Sequence, residues 1–371
     1  MKTISDAIWS FFYYFWFFGI ALFLFRPFQL KGVRKTLLLI LFVSYCLDAS
    51  YRLVLVKVGV WYYLAPKVYQ TPLYSFFFLS VCLQLYVLGK QFRARPIKML
   101  LVLMCKMLLP FCLPVVFGIF LSDVIYGIYI TKPIEGKLLI ALFAPVVAVV
   151  LKIVSRLCVQ RLRNITHPGY SYVLLVPLYY GTAVVFRALQ ADLDDLPYIA
   201  LLGVIHGVAE VVERSVMVVV DHTCTVLWKR KLAPWGSFRT PRRERLMADI
   251  AIISMLYEST AVISVNGLFC LYQYVYTEND SIINLLKTFA VHTSVQLVIE
   301  WFFTSVSLAI ETRYQNMAVM AVWRRRWKRH ILAALVNTVP LAVWNSVCML
   351  IILRASYSNI GFKQPCKMPF S

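Results

Sequence analysis

Long apolar runs, each of about 18 residues or more, recur from one end of the 371-residue chain to the other. A helix of this length can cross the hydrocarbon core of a bilayer. In hydrocarbon each backbone amide must find its partner within its own segment, and a membrane β-barrel would show short alternating segments instead. The composition, 61% hydrophobic and 15% charged, is also too apolar for an ordinary soluble domain. We therefore predict an all-α fold, a polytopic integral membrane helical bundle.

The distribution of charge predicts the number of spans and their direction. About ten spans are expected, near residues 8–25, 36–57, 72–89, 99–121, 138–158, 171–188, from 197 onward, 249–272, 283–310 and 331–353. Loops rich in Lys and Arg alternate with neutral or acidic loops, which places both termini outside by the positive-inside rule. Thirteen of the seventeen acidic residues lie beyond residue 190. We therefore divide one membrane domain into an apolar region, 1–190, and a region with intramembrane ionisable residues, 191–371.

The net charge of +21 and the nine cysteines limit the partners that we expect. Because Lys and Arg cluster in short loops between spans, the charge indicates the lipid bilayer and its anionic headgroups rather than a nucleic acid. The cysteines form no CxxC pair, and no Cys/His spacing suits zinc. We expect no cofactor, no metal and no nucleic acid, and a multi-pass location in a plasma membrane or an endomembrane.

Three ionisable residues share one face of span seven. His206, Glu210 and Glu213 are spaced four and three residues apart, which places them on the same side of a helix. A charged side chain near the bilayer centre costs about 2.5–3.5 kcal/mol on insertion scales. We therefore expect these side chains to face a polar interior.

Spans eight, nine and two carry further polar residues. Span nine places His292, Gln296 and Glu300 at intervals of four, and Glu258 lies near the centre of span eight. With the face of span seven, they predict a polar pathway through spans seven to nine. In span two, Asp48 and Arg52 have the spacing of an intrahelical ion pair, which we interpret as structural.

These patterns favour a multi-pass membrane transporter or channel-like permease that moves a small solute or ion, either passively or coupled to ions or protons. The sequence has no HExxH, P-loop, GxGxxG or GxSxG motif, so nothing indicates nucleotide hydrolysis. An integral membrane enzyme that acts on a lipid or isoprenoid-like substrate is the alternative, with His and Glu as acid and base or as metal ligands beside a buried cavity. A membrane scaffold or receptor is the third possibility.

Overall fold

A computed structural model describes residues 2–59, 67–92, 97–121, 125, 128–129, 132–162, 165–167, 169–191, 196–229, 234, 239–276 and 281–359. Within these ranges the chain is helical and contains ten long α-helices and a short 3₁₀-helix, Ser171–Leu174. The α-helices are α1 Lys2–Leu24, α2 Arg34–Lys57, α3 Lys67–Gln91, α4 Ile97–Phe120, α5 Ile134–Gln160, α6 Val176–Ala191, α7 Leu196–Lys229, α8 Pro241–Tyr276, α9 Ile282–Arg313 and α10 Val319–Asn359.

Seven of the helices in the described ranges are long and apolar enough to cross a membrane. They are α2, α3, α4, α5, α7, α8 and α9. α1 contributes a shorter apolar segment, Ser10–Leu24, and α6 has only 16 residues. This architecture is that of an all-helical, multi-pass integral membrane protein. The finer prediction of about ten spans with both termini outside stays a prediction.

Two helices occupy the centre of the bundle. In α8, 72% of the most apolar 18-residue stretch is buried, against 17% in α2 and in α9. α6 is buried along nearly its whole length and packs against α4, α5, α8 and α10. α7 and α9 pack against each other, and α9 also packs against α8. A side chain that projects from α6 or α8 toward α7 or α9 is therefore enclosed by protein.

Aromatic side chains dominate the interior of the first four helices. The rings of Trp16 and Phe17 in α1 lie 5.0 and 5.2 Å from that of Phe111 in α4. Trp16 donates a 2.7 Å hydrogen bond to the side-chain oxygen of Asn337, which links α1 to α10. In α2, Asp48 and Arg52 lie within ion-pair distance, 2.7 Å apart. This charge pair therefore closes within a single helix.

Candidate functional site

Ionisable side chains from α5 to α9 meet inside the bundle and form a continuous polar column. α7 alone contributes residues from His206 to Asp221, a distance of about 22 Å along a helix that rises 1.5 Å per residue. This length is most of the hydrocarbon thickness of a bilayer, which is about 30 Å. The column therefore has the extent of a path through much of a membrane.

At one end of this column, Arg187 of α6 is surrounded by acceptor side chains. Its guanidinium contacts Glu258 of α8 at 3.4 Å and donates a short hydrogen bond to Glu300 of α9. It also donates to the side-chain oxygen of Gln190, 3.0 Å away. Only 1% of the arginine side chain is exposed. A cation buried to this degree needs several acceptors, and here three side chains from three helices provide them.

Glu210 of α7 lies about one turn beyond His206 and uses only one of its two carboxylate oxygens. Arg214 and Ser254 both donate to Oε1, at 2.6 and 3.0 Å. Oε2 is buried and accepts no hydrogen bond from the residues that the structure describes. Arg214 also lies 3.5 Å from Glu311 of α9. The α7–α9 contact is thus partly ionic, and one oxygen of Glu210 stays available.

Basic side chains of α5 complete the column. Lys152 lies 3.2 Å from Glu213, with its ammonium 5.0 Å from the centre of the Tyr179 ring. One turn later, Arg156 donates a 2.8 Å hydrogen bond to Asp221 of α7. Arg243 of α8 donates to the other oxygen of the same carboxylate at 2.5 Å. α5 is therefore held to α7 by two ion pairs at successive turns.

The charges in this region do not balance. We define the acidic cluster as Lys152, Arg187, His206, Glu210, Glu213, Arg214, Glu258, Glu300 and Glu311. Among these described residues five carboxylates face three cations, which leaves an excess of two negative charges when all are ionised and His206 is neutral. Asp221 with Arg156 and Arg243 carries one positive charge, so the column as a whole has an excess of one negative charge. Uncompensated charge is costly in a low-dielectric interior, so a balanced set would be expected if the pairs only joined helices.

A cavity of about 30 Å³ lies against this cluster, enclosed by α4, α5, α6, α7 and α8. Such a volume is sufficient for a water molecule or a single small ion. Its polar lining consists of Lys152, Thr182, His206, Glu210, Glu213 and Glu258. The imidazole of His206 stacks on Phe186 with ring centres 3.9 Å apart, and its Nε2 lies 3.7 Å from Glu258. The cavity thus exposes nitrogen and oxygen ligands to a shared space.

Five of the seven residues predicted for the pathway come together in this cluster: His206, Glu210, Glu213, Glu258 and Glu300. Gln296 lies one turn from Glu300 and is 1% exposed, and neither of its amide atoms has a hydrogen-bond partner in the described part of the chain. His292 is half-buried two turns from Glu300 and does not line the cavity.

Sequence reasoning missed the cations. The charge pattern counted Arg156 with the basic loop after span five, although the predicted span, 138–158, already includes it. This count is wrong, because the residue lies within α5 and is fully buried against Asp221. Lys152 and Arg187 received no role, although each interrupts an apolar span. That interruption was the available signal. The expectation of no metal was based on Cys and His spacing within the sequence, whereas His206, Glu210 and Glu258 come from two different helices.

Arginines also collect around residues 165–170, beside the start of α8 and α10. Arg326 and Arg329 lie over the ring of Tyr170, with Arg329 only 3.4 Å from the ring centre. Burial, followed by the charges of Arg26, Arg326, Arg245 and Arg329, lowers the pKa of His167. The backbone N–H of Gly169 donates to Nδ1 of this histidine at 3.1 Å, which also requires that nitrogen to be unprotonated. The neighbourhood is strongly electropositive.

Comparison with known proteins finds no family model, no curated protein and no solved structure that matches this chain. The functional argument therefore depends on the geometry of the polar column alone.

Proposed function

We propose that this chain is a membrane transporter or channel-like permease for a small cation, which passes through the polar column of α5 to α9. The observation that carries the proposal is that carboxylates outnumber cations in the acidic cluster, next to a cavity that several of them line. A positive ion that enters the cavity restores the balance of charge. Ionisable residues inside a membrane most often mark such ion pathways.

The size of the cavity limits the class of substrate. A space of about 30 Å³ is sufficient for a small ion. The alternative of a lipid-directed enzyme requires a much larger pocket beside its acid and base. The geometry therefore supports a cation better than it supports a lipid substrate. Anionic lipid headgroups are the partners that we expect at the arginines around His167, by charge attraction.

The transport proposal is tested by purified protein in liposomes. Concentration-driven uptake of H⁺, Na⁺, K⁺, Mn²⁺ and Zn²⁺ is measured with ion-specific dyes and compared with protein-free vesicles. Ala148 is buried and lines the cavity, so Ala148→Leu fills that space. Ala290 is an exposed alanine on α9, so Ala290→Leu adds the same volume elsewhere.

We expect uptake of at least one cation by the wild type, its loss in Ala148→Leu and its retention in Ala290→Leu. No uptake of any of the five ions above that of empty vesicles contradicts the proposal. Equal uptake by both variants contradicts a path through the cavity.

A further inference from the structure

Three side chains around the cavity have the geometry of metal ligands. One ligand atom from each of His206, Glu210 and Glu258 can be chosen so that all three lie within 4.8 Å of one another. An ion at the centre of such a triangle is about 2.8 Å from each corner, and bonds to nitrogen and carboxylate oxygen are about 2.0–2.2 Å long. Side-chain adjustments of less than about 1 Å therefore bring all three atoms to bonding distance.

Glu210 and His206 have ligand atoms that form no hydrogen bond in the described part of the chain, whereas Glu258 is already in contact with Arg187 and His206. Glu210 is only 5% exposed. Its Oε1 accepts hydrogen bonds from Arg214 and Ser254, whereas its Oε2 is buried and has no hydrogen-bond partner among the described atoms. Neither ring nitrogen of His206 forms a hydrogen bond within the described ranges. Its ring is nevertheless fixed in position by the stack on Phe186. A buried carboxylate oxygen without a hydrogen-bond partner, next to an imidazole, is the arrangement that a bound ion would satisfy.

From this arrangement we infer that His206, Glu210 and Glu258 form a binding site for one divalent transition-metal ion of the Zn²⁺ or Mn²⁺ class. An imidazole nitrogen combined with carboxylate oxygens suits these ions better than Na⁺ or K⁺. The positive charge of the ion also offsets negative charge in the acidic cluster, in which five carboxylates face three cations across the described residues.

The basic neighbours of the site have identifiable roles. Arg214 and Ser254 orient Glu210, and Arg187 contacts Glu258 at 3.4 Å, so each carboxylate ligand has an outer partner of the kind that metal sites use. Lys152 also lines the cavity, but its ammonium lies 3.2 Å from Glu213 and is partly neutralised there. The inference that this ion is the transported substrate rests on the proposed function. The inference that the ion binds at this site does not.

The experiment measures binding separately from transport. Protein purified in detergent and treated with chelator is titrated with Zn²⁺ and Mn²⁺ by calorimetry, and Co²⁺ serves as an optical probe of nitrogen and oxygen ligation. We expect one Zn²⁺ per chain with a Kd below about 10 µM, which corresponds to roughly 7 kcal/mol. His206→Ala, its bulkier counterpart His206→Gln, and Glu258→Gln should each weaken binding about tenfold or more.

Matched controls come from the same helices that enclose the column. His292→Ala removes a half-buried histidine, and Glu135→Gln removes an exposed carboxylate at the start of α5; neither residue belongs to the acidic cluster or lines this cavity. Both should keep the Kd within about threefold of the wild type.

Wild-type protein that binds none of the three metals overturns the inference, as does binding that the His206 and Glu258 variants leave unchanged. Metal binding without flux in liposomes supports the site and removes the transport proposal. Flux of monovalent cations without metal binding removes the site and leaves the transport proposal standing.

Discussion

The helices α1 to α4 and the helices α5 to α9 solve the problem of membrane burial in opposite ways. The first group fills its interior with rings such as Trp16, Phe17 and Phe111, and its Asp48–Arg52 pair closes within one helix. The second group directs its charges between helices, and in the acidic cluster they do not balance. A pair that neutralises itself places no demand on neighbouring helices, whereas an unbalanced cluster requires both partners and a further positive charge. This difference is why we propose a structural role for the first group of helices and place the proposed functional site in the second.

The largest effect on stability is expected from removing the buried cation that two carboxylates share. Arg187→Leu leaves Glu258 and Glu300 without their shared partner, and breaking a buried ion pair typically costs about 3–5 kcal/mol. In α2, Arg52→Leu should cost clearly less, because the Arg52 side chain is 14% exposed and its ion pair with Asp48 lies within one helix. Unfolding in detergent, followed by helical circular dichroism, compares the two. Equal losses would contradict the distinction between the two regions.

A smaller effect is expected where the partner of a buried cation keeps a second contact. Arg156→Met removes one of two arginines on Asp221, while Arg243 stays 2.5 Å from the other oxygen. We expect a loss of about 1–3 kcal/mol, the range for one lost hydrogen bond to a charged group. The same unfolding assay measures it. A loss as large as that of Arg187→Leu would show that the two arginines act as a unit, against the reading of Asp221 as doubly held.

The packing of the aromatic region is tested by removing one polar group from it. Trp16→Phe keeps a large ring but removes the N–H that donates to Asn337, so we expect a loss of about 1 kcal/mol. Trp301 offers a matched control, because its N–H donates to Ser259 at 3.1 Å on the exposed surface of α9. Trp301→Phe should leave the melting temperature nearly unchanged. A larger loss of stability in Trp301→Phe than in Trp16→Phe would contradict the assigned link between α1 and α10.

The smallest effect concerns pH. The pKa of His167 is lowered in the folded protein, by burial first and then by four arginines. The unfolded state therefore binds this proton more readily, and stability falls as pH drops below the ordinary histidine pKa of about 6.5. At higher pH the residue contributes no such dependence. His167→Gln should flatten the decline in melting temperature between about pH 7 and pH 5. An unchanged pH profile would show that another group is responsible.

The class of the fold could be predicted from the sequence, because the hydrophobic runs report directly on length and burial. The helices α2 to α5 and α7 to α9 follow the predicted spans closely. The acidic members of the cluster were also visible, since Glu210, Glu258 and Glu300 stand out in apolar stretches. Their partners were not, because a helical pattern shows which residues share a face but not which helices meet. Arg187 lies 71 residues from Glu258 and 113 from Glu300 in the chain.

Burial depth was the second quantity that the sequence did not provide. Arg156 lies two residues before the predicted end of span five and close to a basic loop, and the sequence does not show that α5 continues to Gln160 and keeps the residue inside the bundle. The excess of negative charge could not be counted until Lys152, Arg187 and Arg214 were assigned to their carboxylates. The site therefore follows from packing between helices.

The most direct measurement compares one carboxylate from each region in the same flux assay. Glu258→Gln and Asp48→Asn each remove a buried negative charge while they keep volume and hydrogen-bonding capacity. Both variants are reconstituted in liposomes at equal density, after gel filtration and circular dichroism confirm folding. The account predicts that cation uptake falls about tenfold or more in Glu258→Gln and stays within about twofold of wild type in Asp48→Asn. Wild-type uptake in Glu258→Gln, or equal loss in both, would contradict it.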